Sequence, residues 1–346
     1  MRRTLLIAIL LCPVTLAAQS ETPRPAPEAT TQPQVTAVQR IRDEAKKLAP
    51  LFQTPGAREF LTATSRLPNV ESRTIYAGPD RTYLSKAAWE KLPETDRKGL
   101  REITIPESRY YNTLYGTPLF YGRLIELLGE HGVTSLEGKK LLDFGYGTIG
   151  HLRLMANAGA DVTGVDVDTL LKAIYCESAD TGVMKNPQRA DGRIELVEGR
   201  FPTDAKVREA IGEGFDLFTS KNTLKNGYIH PAEKVDPRMT IDLGVSDEAY
   251  VQAVHAILKP GGLALIYNLC PAPAPAGKPY IPWADGRCPF PREMWEANGF
   301  EVLAFDKDDS DFARKMGRAL GWDAAPMSMD LEGDMFAHWT LVRRKR

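Results

Sequence analysis

The sequence predicts an α/β fold in which a mostly parallel sheet carries helices on both faces. Three observations lead to this prediction. The 346 residues, 43% apolar and 26% charged, are typical of a soluble globular protein. From about residue 139, short apolar runs alternate with helical patterns. A glycine-rich loop, DFGYGTIG at 143–150, joins the first of these runs to the first helical pattern. Such alternation is typical of parallel sheets with helices packed on both sides.

The predicted sheet is built from seven runs, and helical patterns fall between most of them. The strands are KKLLDFG, DVTGVDVD, RIELVEG, FDLFTSKN, LALIYNL, FEVLAFD and MFAHWTLVRR. The helices are HLRLMANAGA, TLLKAIYCESA, a short one around VREAIG, DEAYVQAVHAIL and one at MWEANG. The last strand follows a long connection, which allows it to insert antiparallel. We place this α/β domain at residues 136–346.

The preceding residues, 37–135, are predicted to form a mainly helical N-terminal cap region. VQRIRDEAKKLAPLF has apolar residues near helical spacing, and TPLFYGRLIELLGEHG predicts a helix that ends at Gly132. Between them, TIYAGPDRTYLS alternates enough for a short hairpin with GPD as its turn. Ser85 is positioned to cap a helix through KAAWEKL.

The N-terminus has the three-part pattern of a secretory signal. Arg2-Arg3 precede the apolar run Leu5 to Leu11, and small residues follow at Ala17-Ala18. We predict a signal peptide at 1–18, and hence an exported protein that is periplasmic or extracellular. The proline-rich residues 19–36 cannot build a core and are predicted to be a disordered linker. No later stretch is long and apolar enough to span a bilayer, so no stable membrane insertion is expected after cleavage.

Charge and spacing argue against several functions. The formal net charge of −1 provides no footprint for nucleic acid, and we find no DNA-binding motif. The histidines are scattered without ligand spacing, so no metal site is predicted. A G-x-S-x-G motif is absent, which argues against a serine hydrolase.

Cys270 and Cys288 flank a proline-rich loop. A disulfide and two free thiols both remain open for this pair.

The glycine loop matches the spacing G-x-G-x-x-G, which also occurs in nicotinamide and flavin enzymes. Asp143, two residues before the first glycine, argues against that class because its charge would repel a pyrophosphate. A ligand that carries cations would not be repelled. Asp166 ends the second strand, where a carboxylate can accept from both ribose hydroxyls. Together these acids favour a nucleoside with a free ribose and a positively charged substituent.

Four segments, DFGYGTIG, VTGVDVD, FDLFTSKNTL and LKPGGLALIYN, resemble the motifs of the class I S-adenosylmethionine-dependent methyltransferases. The resemblance covers roughly residues 110–345. It implies a Rossmann-like, seven-stranded, mostly parallel sheet whose last strand is antiparallel. It also implies S-adenosyl-L-methionine as the cofactor and methyl transfer as the activity.

The same resemblance implies a set of cofactor-binding residues. Asp143 would face the methionine amino group, often through water, Asp166 would bind the ribose, and Phe201 would contact adenine. Arg200 stands where the family often has an acid, which is a departure from the pattern. The glycines would let the backbone approach the cofactor, and the tyrosines before the first strand could cover it or merely pack a helix. These glycines are Gly145, Gly147 and Gly150, and the tyrosines are Tyr110, Tyr111, Tyr115 and Tyr121, of which we favour Tyr115.

The acceptor is expected above the carboxyl ends of the first and fourth strands. The loop SKNTLKNGYIHP at 220–231 follows the fourth strand and is rich in polar groups. The candidate catalytic residues there are Lys221, Asn222, Tyr228 and His230. His230 is the first candidate for a general base, because histidine is the side-chain type best suited to accept a proton at neutral pH. Lys221 and Lys225 could instead bind an anionic acceptor or the cofactor carboxylate. In the absence of a readable groove for a polymer, we expect a small-molecule acceptor.

The predicted signal peptide and the predicted cofactor are in conflict, because S-adenosylmethionine is made in the cytoplasm and is charged. This conflict keeps a second hypothesis open. The chain would then be a non-catalytic envelope protein that binds a nucleoside-like or cationic ligand on a methyltransferase-like fold. The oligomeric state is not predicted.

Overall fold

The computed structural model describes residues 35–113 and 116–346. Its helices are Ala37–Leu48 (α1), Pro55–Thr62 (α2), Lys86–Glu90 (α3), Glu94–Arg97 (α4), Glu107–Tyr111 (α5), Tyr121–Glu130 (α6), Ile149–Asn157 (α7), Thr169–Ile174 (α8), Ala205–Ile211 (α9), Asn226–Ile229 (α10), Asp247–Ile257 (α11), Arg292–Ala297 (α12), Ser310–Leu320 (α13) and Leu331–Asp334 (α14). Its strands are Arg73–Ala77 (β1), Tyr83–Ser85 (β2), Arg101–Ile105 (β3), Lys140–Phe144 (β4), Asp161–Asp166 (β5), Gly182–Met184 (β6), Gly192–Glu198 (β7), Phe215–Lys221 (β8), Leu258–Cys270 (β9), Phe300–Asp308 (β10) and Phe336–Arg344 (β11).

The large sheet has the order β10-β11-β9-β8-β4-β5-β7-β6. Strands β7, β5, β4, β8 and β9 run parallel to one another. Strand β11 lies between β9 and β10 and is antiparallel to both. The predicted fold class and the antiparallel last strand are therefore confirmed. The sheet described has eight strands rather than seven, because the three-residue strand β6 adds an antiparallel edge beside β7.

The strands of this sheet alternate their side chains between two apolar layers, as the pleat requires. Leu141 packs into one layer and Leu142 into the other, and Leu265 and Ile266 divide in the same way. One layer is covered by α9, α11 and α12, and the other by α7 together with helices from the N-terminal region. Both faces of the sheet are thus buried.

The N-terminal region contributes directly to one of these layers. Buried side chains from α1, α2 and α6, such as Val38, Phe60 and Leu124, join the same core as Leu141 and Leu152. Residues 35–346 form one compact unit by their contacts.

The N-terminal region also contains a small antiparallel sheet with the order β2-β1-β3. The predicted hairpin is confirmed, with Ile75 opposite Ser85 and a short turn at Pro79–Arg81. Strand β3 was missed, and so was α13 in the connection before β11. Strand β3 buries only Ile105 fully, whereas α13 buries Ser310, Ala313, Met316 and Gly317 along one face, between charged residues.

Some predictions fall on residues that the structure does not describe. The signal peptide at 1–18, the linker from 19 to 34 and Tyr115 lie outside the described residues. Thr36, the last residue of the predicted linker, is described, and its hydroxyl accepts from the Gln39 N–H to cap α1. Within the described ranges, no helix has the length and apolar character needed to cross a membrane.

Candidate functional site

The glycine loop connects β4 to α7 and is bound to the end of β5. Gly145 and Gly147 have φ values of +72° and +55°, which side chains other than glycine rarely adopt. The Gly145 N–H donates to the Val165 carbonyl at 2.8 Å. The Gly147 N–H donates to Oδ2 of Asp166 at 3.1 Å. The structure therefore brings two of the predicted glycines together with the predicted ribose-binding acid.

The three glycines are required for different reasons. A β-carbon at position 145 would overlap Oγ1 of Thr223, and one at position 150 would overlap the carbonyl oxygen of Tyr111. At Gly147 no such atom lies nearer than 3.9 Å. Close packing within the protein thus explains Gly145 and Gly150, and Gly147 is the position where a ligand can approach the backbone.

Asp166 is placed to receive further donors. Its Oδ1 accepts from the Asp168 N–H at 3.0 Å and its Oδ2 from Gly147, which leaves lone pairs on both oxygens. Burial raises the pKa of this carboxyl group. The next side chain, Val167, is apolar yet 61% exposed. The carboxylate and the exposed apolar surface fit the ribose and the base of a nucleoside. In the sequence, Val167 could have been found only from its position directly after Asp166 in the pattern VDVD.

Asp143 occupies a different position from the one expected at a ligand surface. Its side chain is fully buried, and three donors engage it. Oδ2 accepts from the Tyr121 hydroxyl at 2.9 Å and from Nε2 of His151 at 2.8 Å, and Oδ1 accepts from Oγ1 of Thr219 at 2.5 Å. No face of this carboxylate is open for a direct contact with a methionine amino group in this structure, and a contact through water stays a prediction. Residues from α6, α7 and β8 supply the donors, and their convergence was not readable from the sequence.

The tyrosines before β4 pack inside the protein. Tyr121 stacks on His151 with ring centroids 3.5 Å apart and an interplanar angle of 8°. Tyr110 donates to Oδ1 of Asp180 at 2.7 Å, and Tyr111 is also buried. Burial lowers the pKa of His151, whose Nδ1 has no partner among the described residues. For these three tyrosines the packing alternative holds.

Phe201, the predicted adenine contact, is a core residue. It is 2% exposed and packs edge-on against Tyr250 and Phe144, with centroids 6.0 and 6.4 Å away. It belongs to the apolar layer of α9, α11 and α12. The neighbouring Arg200 is exposed and lies 3.5 Å from Oδ2 of Asp242. The structure thus assigns Phe201 to the interior instead of to a ligand surface.

Lys221 and Asn222 both lie at the end of β8, but their side chains make different contacts. Nζ of Lys221 is 5.6 Å from the ring centroid of Tyr121 and 5.9 Å from that of Phe120. Burial, reinforced by the charge of Lys225, lowers its pKa to about 8. Asn222 has φ +63°, and its Oδ1 accepts from the Leu269 N–H at 2.7 Å. Asn222 therefore ties this loop to β9.

The rest of the predicted catalytic loop divides between the interior and the surface. Nζ of Lys225 donates to the carbonyls of Leu269 and Trp283, at 2.5 and 3.3 Å, and lies 5.4 Å from the Tyr228 ring centroid. His230 is exposed, and its Nε2 is 2.8 Å from Oδ2 of Asp247. It lines a shallow depression of about 400 Å³. The histidine is thus paired at the start of α11, apart from the side-chain contacts of Lys221 and Lys225.

Cys270 and Cys288 are buried free thiols, and Cys176 is an exposed free thiol. Of the two alternatives left open for the pair, the structure therefore has the free thiols. In the part of the chain that the structure describes, no group of three or more histidine, cysteine or acidic side chains could hold a metal ion.

The chain is similar to a ribosomal protein L11 methyltransferase of Lachnoclostridium phytofermentans. The two sequences are 27% identical over 212 residues. The match covers 53% of this chain and 57% of that protein, so the chain spans little more than half the length of this relative. No protein-family model matches the chain.

Among solved structures, the chain is similar to the [4+2]-cyclase SpnF and to a Haemonchus contortus phosphoethanolamine N-methyltransferase. For SpnF the identity is 18%, the coverage 64% of this chain and 80% of the other, and the TM-score 0.38. For the Haemonchus protein these values are 13%, 83%, 75% and 0.39. Because these TM-scores are low, the fold is assigned from the strand order of the sheet itself.

The strand order of the sheet and the sequence similarity to a methyltransferase both agree with the resemblance that the motifs carry.

Proposed function

We propose that this protein transfers a methyl group from S-adenosyl-L-methionine to a small-molecule acceptor. The observation that carries the proposal is the contact between the Gly147 N–H and Asp166 at the carboxyl ends of the parallel strands β4 and β5. Ligands of open parallel sheets bind at this edge. The similarity to a methyltransferase sequence supports the same cofactor.

Three residues would hold the nucleoside part of the cofactor. Asp166 would accept from the ribose hydroxyls, Gly147 would allow a close approach, and Val167 would cover part of the base. The bound cofactor supplies a methyl group on a sulfonium, and the protein contributes chiefly by positioning the acceptor. Lys221 and Asn222 stand at the end of β8, where an acceptor would enter.

Calorimetric binding of S-adenosylmethionine and S-adenosylhomocysteine tests this proposal. We expect micromolar binding of both, and loss of binding in Asp166→Ala. The matched control is Asp161→Ala, because Asp161 is an exposed acid at the start of the same strand. A folded wild-type protein that binds neither compound would overturn the proposal. So would an Asp166→Ala variant with unchanged affinity.

A second candidate is the non-catalytic envelope protein that binds a nucleoside-like or cationic ligand. The burial of Asp143 and Phe201 favours it, because two residues used by the family resemblance are then unavailable to a ligand. The two candidates differ in turnover. Methyl transfer from labelled S-adenosylmethionine to members of a panel of small molecules supports the enzyme. Binding without transfer to any of them supports the second candidate.

We further propose that the protein is exported by the signal at residues 1–18. N-terminal sequencing of the protein recovered from the cell envelope or medium should begin at Gln19, or at Ala18 if cleavage follows Ala17. An unprocessed N-terminus at Met1 in a cytoplasmic fraction would contradict export and remove the conflict with a cytoplasmic cofactor.

A further inference from the structure

Within the described ranges, the ammonium group of Lys221 has no anionic partner. Among the described residues its contacts are the rings of Phe120 and Tyr121, at centroid distances of 5.9 and 5.6 Å. No carboxylate of the described residues lies within ion-pair distance of it. The side chain is partly buried at the end of β8, where the preceding Ser220 donates to the Phe144 carbonyl at the start of the glycine loop. A charge that is largely removed from water and lacks a counter-ion is costly unless a ligand supplies one.

A second cation lies close to the first. Lys225 is 4% exposed, and its Nζ is held by the carbonyls of Leu269 and Trp283. The positive charge of Lys225 acts on Lys221 strongly enough to lower the pKa of the latter. The carbonyls satisfy donors of Lys225 but leave its charge uncompensated. Two neighbouring ammonium groups therefore make this strand end locally positive.

The nearby acid does not remove that charge. Asp143 is the carboxylate whose field reaches Lys221, and it favours the charged form. However, both oxygens of Asp143 are occupied by the hydrogen bonds from Tyr121, His151 and Thr219. Of the influences on Lys221, that of Asp143 is also the smallest. His151, next to Asp143, adds no positive charge here, because burial lowers its pKa and so disfavours its protonation.

We propose that Lys221 binds an anionic group, a carboxylate or a phosphate, of the methyl acceptor. The proposal rests on the proposed function for its acceptor, and it narrows that acceptor to the class of small anions. Lys225 contributes through its charge, and the rings of Phe120 and Tyr121 shield the site from water. The same chemistry would also suit the carboxylate of the cofactor, and the experiment separates these two sources.

The test measures the binding of inorganic phosphate and of acetate by calorimetry at constant ionic strength. The variants are Lys221→Met, which keeps an unbranched stem, and Lys221→Arg, which keeps the charge. Lys206→Met is the matched control, because Lys206 is an exposed lysine on α9. Unfolding curves establish that each variant is folded. Each titration is repeated with saturating S-adenosylhomocysteine, and the affinity for that compound is measured in every variant.

We expect at least one of the two anions to bind wild type and Lys206→Met equally. Binding should weaken about tenfold or more in Lys221→Met and persist in Lys221→Arg, as loss of a charge-assisted hydrogen bond requires. The anion should remain bound beside S-adenosylhomocysteine, whose own affinity should not depend on residue 221.

Two results would overturn the proposal. Equal anion binding in wild type and Lys221→Met, or no binding in either, would show that Lys221 does not form an anion site. Lys221 would then act only as a distant counter-charge for Asp143. Exclusion of the anion by S-adenosylhomocysteine, with a weaker affinity for that compound in Lys221→Met, would assign Lys221 to the cofactor carboxylate. If S-adenosylhomocysteine does not bind wild type at all, the proposed function fails, whereas the anion titrations still decide whether Lys221 forms an anion site.

Discussion

Nε2 of His151 lies 2.8 Å from Oδ2 of Asp143, and neither side chain reaches solvent. The acid of the DFGYGTIG motif is thereby directed into the protein and bound by residues of the surrounding helices and strand. Its role in this structure is to hold α6, α7 and β8 together around the start of the glycine loop. Under the proposed function, the residues left to contact the cofactor at this edge are Asp166, Gly147 and Val167.

Replacing Asp143 by asparagine should destabilise the fold. The substitution puts an NH₂ group among three donors and removes their charged acceptor. We expect the free energy of unfolding to fall by about 2–4 kcal/mol. Urea denaturation measures it, with Asp161→Asn as the exposed control on β5. Equal stability of the two variants would show that the Asp143 network contributes little.

His151 should make stability depend on pH. Burial lowers its pKa below the ordinary value of 6.5, so the unfolded chain takes up a proton at a higher pH than the folded protein does. The free energy of unfolding should therefore fall as the pH drops below about 6.5, by up to about 1.4 kcal/mol per pH unit from this group.

Denaturation curves of wild type and His151→Gln between pH 7.5 and 5.5 measure the contribution of His151. The slope should be smaller in the variant, because the remaining groups alone then respond to pH. Parallel stability curves for the two proteins would contradict the prediction.

Two glycines of the loop should respond differently to alanine. At Gly150 a methyl group would meet the Tyr111 carbonyl oxygen and Pro118, so we expect a loss of about 1–3 kcal/mol or failure to fold. At Gly147 there is space, and the cost should be limited to about 1 kcal/mol for its positive φ.

Thermal unfolding and cofactor binding distinguish these two effects. Gly147→Ala should keep the fold and weaken cofactor binding, whereas Gly150→Ala should lower the melting temperature most. The assignment of the open position to Gly147 would be wrong if its alanine variant bound the cofactor normally.

The buried pair of Arg123 and Asp309 should be sensitive to removal of one partner. Arg123 donates to both carboxylate oxygens of Asp309, at 2.9 and 2.8 Å, and Tyr267 donates to the same group at 2.9 Å. Arg123→Met leaves a buried carboxylate without its cation, at an expected cost of about 3–5 kcal/mol. The exposed Arg318, paired with Glu332, provides the control, since its substitution by methionine should cost less than about 1 kcal/mol. Urea denaturation compares the two.

The thiols should differ in reactivity. Cys176 is exposed, whereas burial raises the pKa of Cys270 and raises that of Cys288 to about 12. A thiol reagent at pH 8 should modify Cys176 in the native protein and the other two only after denaturation. Peptide mapping by mass spectrometry under non-reducing conditions identifies each site. A peptide that links Cys270 to Cys288 would contradict the free-thiol structure.

The sequence by itself determined the α/β class, the seven longer strands from residue 140 onward with five of the helices between them, and the site of the glycine loop. These features depend on local patterns: apolar runs, helical spacing and glycines near strand ends. The antiparallel last strand also agreed with the motif resemblance. Short elements such as β6, with three residues, carry too few side chains to be recognised in this way.

Only the tertiary structure decided which motif residues are enclosed by the protein and which stay open at the edge of the sheet. Asp143 and Asp166 both end parallel strands, yet Asp143 meets donors from three other elements, whereas Asp166 keeps free lone pairs at the edge. In the loop after β8, His230 pairs with Asp247, whereas Lys221 lies beside the Tyr121 ring and has no anionic partner in the part of the chain that the structure describes. Burial and pairing arise from residues distant in the chain, and for that reason no local pattern could assign them.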